Sequence, residues 1–337
     1  MKPVYKLIFI LFSCYSSAFS QQNFDELEAT GFKLSTIITK NDTIILISTN
    51  VKSDIAKPTI LFIQGSKAVP IVLKDSKGIF VNIPFDNKKY VDKYNLVLIS
   101  RKGIPVLGDF PKDANGYLDT FGKTPLNYIK YDNLKYRTFQ SETVVNYLYK
   151  QKWVQKDSIF VIGHSEGYRV AAKLASKSRK ISKIICMSAD PFNRISEMVF
   201  RERVNCFNNE NDSISQFKIE SLIKNFKNID SDIEQYKNNY ELYNWMSYEK
   251  DITYENFKNF KNPILIVYGT NDIPATHNDL IPYLLKQDNI SLKAFSDYDH
   301  NYFKKEFDID GKPIEDSYHW NDVIDYCIKW LFESIND

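Results

Sequence analysis

Cysteine is scarce in this chain of 337 residues, which contains only Cys14, Cys186, Cys206 and Cys327. The four are scattered along the sequence without Cys-X-X-Cys spacing, so they indicate neither a disulfide framework nor a cysteine-bound zinc site. Isolated cysteines usually behave as small buried hydrophobic residues. We therefore expect a fold that depends on its apolar core rather than on disulfide or metal cross-links.

Metal and cofactor motifs are also missing. There is no His-Glu-X-X-His spacing, the 11 glycines form no phosphate-cradling loop, and no segment is repeated. The sequence therefore predicts a protein that needs no metal and no organic cofactor.

An excess of one charge is absent as well, since 44 Lys and Arg residues stand against 42 Asp and Glu residues. Without Lys2 and Lys6, which lie in the N-terminal segment, the balance is 42 (44 minus 2) against 42. A neutral chain without a basic stripe is not typical of nucleic-acid-binding proteins. We expect no nucleic acid among its partners.

Long apolar runs do not occur, because no stretch approaches the roughly 18 to 20 apolar residues that span a bilayer. The N-terminus instead resembles a secretory signal over residues 1–20. It has Lys2 and Lys6, an apolar core over residues 7–12, and the small-X-small sequence Ala-Phe-Ser at 18–20. We expect export, with a mature chain that begins near Gln21. The alternative is a lipoprotein signal in which Cys14 is lipidated.

Short apolar segments are what the sequence does contain, and they predict strands. Alternation over residues 31–50 indicates an antiparallel hairpin. Continuous apolar runs, which are typical of strands buried on both faces, follow along the chain. These runs cover residues 59–63, 96–99, 159–162, 184–187 and 264–268, with a weaker one at 292–295.

Helical patterns alternate with these strands, at about 138–152, 166–178 and 320–334. Alternating strands and helices predict a mostly parallel sheet with helices on both faces. In such a sheet, ligands bind beyond the carboxyl ends of the strands. Polar residues that directly follow a strand are therefore the candidate site residues.

The run at 159–162 ends in Gly163-His164-Ser165-Glu166-Gly167, a Gly-X-Ser-X-Gly pentapeptide between a strand and a helix. This is the pattern of a nucleophile elbow. A serine hydroxyl needs a base to take its proton, so it must be presented at a sharp, accessible turn. The two glycines permit that turn because they lack a Cβ atom.

Two later strands are followed by the residues that such a serine requires. Asp272 follows the run at 264–268, and His300 follows the run at 292–295. The order Ser165, Asp272, His300 resembles the α/β-hydrolase family over nearly the whole mature chain, and its esterase and peptidase-like branches more than the lipases. The resemblance implies a nucleophile, an acid and a base in that order.

By the same resemblance, the backbone N–H groups of Glu166 and Ser66 would form the oxyanion hole. The chain departs from the family pattern at Gln64-Gly65, where His-Gly is common, and at Tyr168, where a glycine often follows the elbow. These departures remove no catalytic atom.

Some site assignments stay open. Asp190 follows the fourth strand and is a rival for the acid, because some family members place it there. His319 is expected in a surface loop, and Arg101 and Lys102 are expected to serve loops or salt bridges rather than substrate.

Residues 191–262 break the alternation of strands and helices, with helical patterns near 213–228 and 231–247. We interpret this segment as a helical cap inserted into a core of residues 21–190 and 263–337. Its aromatic residues, among them Phe207 and Trp245, are expected mainly to pack within the cap.

The sequence thus predicts an exported serine hydrolase that cleaves a small-molecule ester, or less readily an amide or peptide, through an acyl-enzyme. Acyl transfer from the same acyl-enzyme and a catalytically silent binding protein are the alternatives. The oligomeric state is not indicated.

Overall fold

The computed structural model describes residues 21–49, 55–110, 116–209, 211–231, 234–235, 238–312 and 317–333. The predicted signal, with Cys14, lies outside these residues. Within them, no helix is both long and apolar enough to cross a membrane.

Strands in the described residues form one large sheet and two small ones. Their bounds are β1 (Lys33–Ile38), β2 (Thr43–Ser48), β3 (Lys57–Ile63), β4 (Val72–Asp75), β5 (Gly78–Val81), β6 (Asn95–Ile99), β7 (Leu107–Asp109), β8 (Val154–His164), β9 (Lys183–Met187), β10 (Ile264–Gly269), β11 (Ile290–Phe295), β12 (Phe303–Lys304) and β13 (Ser317–Tyr318).

The large sheet has eight strands in the order β1-β2-β6-β3-β8-β9-β10-β11. The hairpin β1-β2 is antiparallel, as the sequence predicts, and β2 also pairs antiparallel with β6. All pairings from β6 to β11 are parallel. The carboxyl ends of β3, β8, β9, β10 and β11 therefore lie along one edge, where the candidate residues were expected.

Helices flank this sheet. Their bounds are α1 (Gln21–Ala29), α2 (Leu126–Tyr131), α3 (Leu134–Leu148), α4 (Glu166–Ala175), α5 (Arg194–Asn209), α6 (Asp212–Ser231), α7 (Tyr240–Glu249), α8 (Ile281–Leu285) and α9 (Trp320–Glu333), with 3-10 turns at Asn87–Tyr90, Thr253–Asn259 and Ile273–Leu280.

Alternate side chains of the central strands enter two separate cores. On β3, Leu61 and Ile63 join the core beneath α3 and α4. Ile60 and Phe62 face the other way and join the core beneath α9. Because successive strand residues point to opposite faces, a strand buried on both sides must be apolar throughout, which explains the continuous apolar runs.

The fold prediction of a mostly parallel sheet flanked by helices is confirmed, but some elements differ in extent. The predicted helix at 138–152 is α3, which begins earlier because the Asn133 side chain caps it by accepting from the Tyr136 N–H. The sheet β5-β4-β7 and helix α2 were not predicted, since strands of three or four residues and a helix of six show no clear period.

Candidate active site

Ser165 stands at the turn between β8 and α4, with φ 57° and ψ −122°. A non-glycine residue in this region is strained and persists only where its surroundings hold it. The turn is also too tight for a side chain at Gly163, where a Cβ would lie 2.1 Å from the Gly167 carbonyl oxygen. The elbow pattern therefore corresponds to a real, tightly closed elbow.

Three side chains form a hydrogen-bonded chain at the carboxyl edge of the sheet. His300 Nε2 lies 3.0 Å from Ser165 Oγ, and His300 Nδ1 lies 2.7 Å from Asp272 Oδ2. Asp272 is buried, so its carboxylate holds the Nδ1–H and leaves Nε2 to accept the serine proton. This arrangement is able to generate a nucleophilic serine oxygen.

The loops that carry the acid and the base interlock. Asn271 N–H donates to the Tyr298 carbonyl at 2.9 Å, which joins the turn after β10 to the turn after β11. A Cβ at Gly269 would lie 2.1 Å from that same Tyr298 carbonyl oxygen. The absence of a side chain at position 269 thus allows Asp272 and His300 to approach each other.

His164, the second residue of the elbow pentapeptide, supports the base. Its Nε2–H donates to the His300 backbone carbonyl at 3.0 Å. Burial, together with the nearby His300, lowers the pKa of His164 to about 3. His164 is therefore neutral near pH 7, and it anchors the backbone of the base without placing a positive charge beside it.

Arg201 contacts the acid from α5, and the sequence did not indicate this. Its Nη2 lies 3.5 Å from Asp272 Oδ1 and 3.2 Å from Glu197 Oε1. The Arg201 side chain is half exposed, so solvent screens these charges and the contact with Asp272 is weak.

The rival acid is engaged elsewhere. Asp190 is fully buried and pairs with His277 Nδ1 at 2.9 Å, while it also accepts from the Phe192 N–H at 2.7 Å. His300 pairs with Asp272 instead. Asp190 and Asp272 therefore each pair with a different histidine, and Ser165 is hydrogen-bonded to the histidine that pairs with Asp272.

His319 lies apart from the hydrogen-bonded chain, as expected. Its Nδ1 lies 2.7 Å from Asp322 Oδ2, and its ring stacks on Tyr298 at 4.8 Å between centroids. Arg101 and Lys102 also form the expected ion pairs, with Asp132 and Asp42 respectively.

The segments that carry the two expected oxyanion donors lie beside the serine. Glu166 is the first residue of α4. Gly65, which precedes Ser66, is so close that a Cβ built on it would lie 3.2 Å from Ser165 Cβ and 3.6 Å from Oγ. The loop after β3 and the start of α4 therefore meet at the serine hydroxyl.

A cavity of about 260 Å³ lies next to these two segments, although Ser165 itself is not among the residues that line it. Ser66 and Glu166 contribute to its core side, and Trp245 and Tyr248 of α7 contribute to its other side. Arg194 lines it too, with its guanidinium 5.2 Å from the centre of the Trp245 ring. Trp245 was expected to pack within the cap, whereas here it also forms part of a cavity wall.

Metal ligands are not grouped in the part of the chain that the structure describes. No cluster there contains three or more His, Cys, Asp or Glu side chains able to hold an ion.

Comparison with known proteins gives one family match. Residues 138–280 match the family described as BAAT and acyl-CoA thioester hydrolase C-terminal, a span of 143 residues (280 minus 138, plus 1) that covers less than half of the chain. The matched span contains Ser165 and Asp272 and ends before His300. No curated protein sequence matches the chain.

Several solved structures resemble this one. The DcsB complex with its substrate analogue has a TM-score of 0.54 at 14% identity, over 91% of this chain and 100% of that one. Est1E from Butyrivibrio proteoclasticus has a TM-score of 0.50 at 12% identity, over 90% and 99%. The 2,6-dihydroxy-pseudo-oxynicotine hydrolase has 0.50 at 14%, over 83% of this chain but only 65% of its own length. At such identities each likeness concerns the fold alone.

Proposed function

We propose that the chain is a member of the α/β-hydrolase superfamily and that Ser165 is the nucleophile of a serine hydrolase that cleaves an ester, and less readily an amide. The observation that carries the proposal is the hydrogen-bonded chain from Ser165 Oγ through His300 to the buried carboxylate of Asp272. The strained elbow at Ser165 supports the proposal, because α/β-hydrolases present their nucleophile on such a turn.

The reaction would proceed in two halves. Ser165 Oγ attacks the substrate carbonyl carbon while His300 Nε2 takes the hydroxyl proton. When the tetrahedral intermediate collapses, the bond to the alcohol breaks and His300 gives its proton to the leaving oxygen. Water, activated by His300 in the same way, then attacks the acyl-enzyme, releases the acid and restores the serine hydroxyl.

In both halves the carbonyl oxygen becomes negatively charged. In the proposal, the backbone N–H groups of Ser66 and Glu166 donate to this oxygen, and each such donor is typically worth about 10²–10³ in rate. The direct test of the proposal is a fluorophosphonate probe, which bonds only to an activated serine. A folded chain that the probe does not label would contradict it.

A thioester is the second candidate substrate, because residues 138–280 match a family described by acyl-CoA thioester hydrolysis. The same acyl-enzyme would form, with a thiol as the leaving group. Comparing kcat/KM for matched oxygen esters and thioesters distinguishes the two, and product analysis with added alcohols or amines detects acyl transfer.

Residues 191–262 act, in our proposal, as the cap over this site. The segment contains α5, α6 and α7 and contacts the core near the cavity, where the Leu134 N–H donates to Ser247 Oγ at 3.0 Å. Since α7 also supplies Trp245 and Tyr248 to the cavity, the cap would govern which substrates fit.

Replacing Trp245 with alanine is expected to shift the preference among p-nitrophenyl esters toward longer acyl chains, because it enlarges the cavity. Probe labelling should change less, since the reacting groups lie elsewhere. The measurement is kcat/KM across a chain-length series. Phe207→Ala is the control, because Phe207 lies on the same segment but is 88% exposed. Identical profiles for the Trp245 variant and the parent would restrict this tryptophan to packing.

Export is proposed from the N-terminal pattern alone. Protein recovered from the producing cells is expected to begin near Gln21 when its N-terminus is sequenced, because the Ala-Phe-Ser sequence at 18–20 fits signal cleavage. A product that begins at a lipid-modified Cys14 would replace this proposal with membrane anchoring.

A further inference from the structure

Three consecutive carbonyl groups of the loop beside the serine are held by three buried or nearly buried side chains. The Gln64 carbonyl accepts from Arg137 Nη2 at 2.5 Å, and the Gly65 carbonyl accepts from Arg101 Nη1 at 2.6 Å. The Ser66 carbonyl accepts from the Tyr128 hydroxyl. No helix or strand of the described chain includes these three residues. The three side chains therefore fix the backbone of a loop that secondary structure does not fix.

The hydrogen bond from Arg101 to the Gly65 carbonyl also constrains the next N–H of the chain. The Gly65 carbonyl and the Ser66 N–H belong to one peptide group, which is planar and trans, so its oxygen and its hydrogen point in opposite directions. A donor that fixes the oxygen therefore also fixes the direction of the N–H. In the proposed oxyanion hole the Ser66 N–H points at the oxyanion, so Arg101 would bind the peptide oxygen on the opposite side.

From this geometry, and resting on the proposed function, we infer that Arg101 is a positioning residue of the oxyanion hole. It aims the Ser66 N–H at the developing oxyanion through the Gly65–Ser66 peptide without touching substrate. Its hydrogen bond also polarises that peptide, which strengthens the N–H as a donor.

The guanidinium of Arg101 is itself firmly held. It forms an ion pair with Asp132 and donates to the Tyr128 hydroxyl at 3.1 Å, and its side chain is only 6% exposed. Arg137 links the same network to the other half of the hole, since it pairs with the Glu166 carboxylate. One buried network thus joins the residues of both expected oxyanion donors.

The planar guanidinium group makes this positioning role specific to arginine. The guanidinium fork reaches Gly65, Tyr128 and Asp132 with fixed angles, whereas a lysine ammonium is a flexible point charge. Arg101→Lys preserves the charge beside Asp132 and removes the fork. This substitution therefore separates the effect of the Ser66 N–H orientation from the effect of the positive charge.

Arg101→Lys is expected to lower kcat by about 10- to 100-fold with KM nearly unchanged, because it misdirects one oxyanion donor that acts only in the transition state. The affinity for an aryl boronic acid, whose adduct with Ser165 places an oxygen in the hole, should fall by a similar factor. All rates are divided by the folded fraction, measured by circular dichroism.

Arg169→Lys is the matched control. Arg169 is 2% exposed, pairs with Glu197 and donates to the Phe192 carbonyl, so it has the same kinds of partner at a different place. Its replacement by lysine should lower the thermal midpoint. It should leave kcat per folded molecule within about threefold of the parent, because the bonds of Arg169 are the same in the ground state and the transition state.

Tyr128→Phe provides a second variant that removes one hydroxyl only. Because that hydroxyl accepts from Arg101 and donates to the next carbonyl of the loop, kcat should fall severalfold with KM unchanged.

The inference is overturned if Arg101→Lys and Tyr128→Phe keep the parent kcat, if Arg169→Lys loses as much, or if KM rises while kcat stays constant. If the parent itself fails to react with a fluorophosphonate, the proposed function fails and the inference fails with it. Labelled parent protein with unaffected Arg101 and Tyr128 variants would reject the inference alone.

Discussion

Ser165→Ala is expected to abolish ester turnover, with a loss of about 10⁶-fold in kcat, and to abolish fluorophosphonate labelling. The reason is that the serine hydroxyl supplies the only nucleophile in the proposed mechanism. The thermal midpoint should change little, because the variant removes one hydrogen bond, to His300, typically worth about 1 kcal/mol.

Ser176→Ala is the matched control for this substitution. Ser176 follows the last residue of α4, and its hydroxyl donates only to the Lys173 carbonyl at 2.8 Å in the described residues. It should keep full labelling and turnover. If Ser165→Ala were still labelled, another serine would carry the reaction and the site would have to be reassigned.

Asp272→Asn is expected to lower kcat by about 10⁴-fold, because an amide at this position stabilises the wrong imidazole tautomer and cannot stabilise the imidazolium. His300→Ala should be nearly as severe as Ser165→Ala. Since the three side chains would act as a unit, adding His300→Ala to Ser165→Ala should cost little further. Steady-state kinetics on one p-nitrophenyl ester measures all of these losses.

Asp190→Asn and His319→Ala are the controls for the acid and the base. Asp190 is paired with His277 and His319 with Asp322, so both variants should lose stability rather than the chemistry. Most activity per folded molecule should remain. An inactive His319 variant beside an active His300 variant, or a greater loss at Asp190 than at Asp272, would show that the late loops have been assigned wrongly.

Local patterns were sufficient for the layout of the sheet. A strand such as β10, with all six residues buried, is recognisable because it is apolar throughout. Helix α9 is recognisable because Trp320, Ile324, Ile328 and Leu331 recur at helical spacing and enter one core. The solved structures of similar fold, at TM-scores of 0.50 and 0.54, confirm the predicted α/β-hydrolase fold.

The supporting contacts of the site could not be predicted in this way. Arg101 and the Gly65 carbonyl are 36 residues apart, and His164 and the His300 carbonyl are 136 apart. Such contacts depend on how the loops pack after folding, and no local spacing encodes them. The three side chains of the hydrogen-bonded chain were named from their places after strands and from family resemblance, and their catalytic roles stay predictions.

Gly269 bears on how activity is inferred for other chains of this fold. Any other amino acid there would bring a Cβ against the Tyr298 carbonyl and force the turn after β10 away from the turn after β11. A natural variant could in this way retain serine, aspartate and histidine and still be silent. Searching genomes for those three residues would then count inactive copies as enzymes, and a glycine at this strand end is a fourth position worth checking.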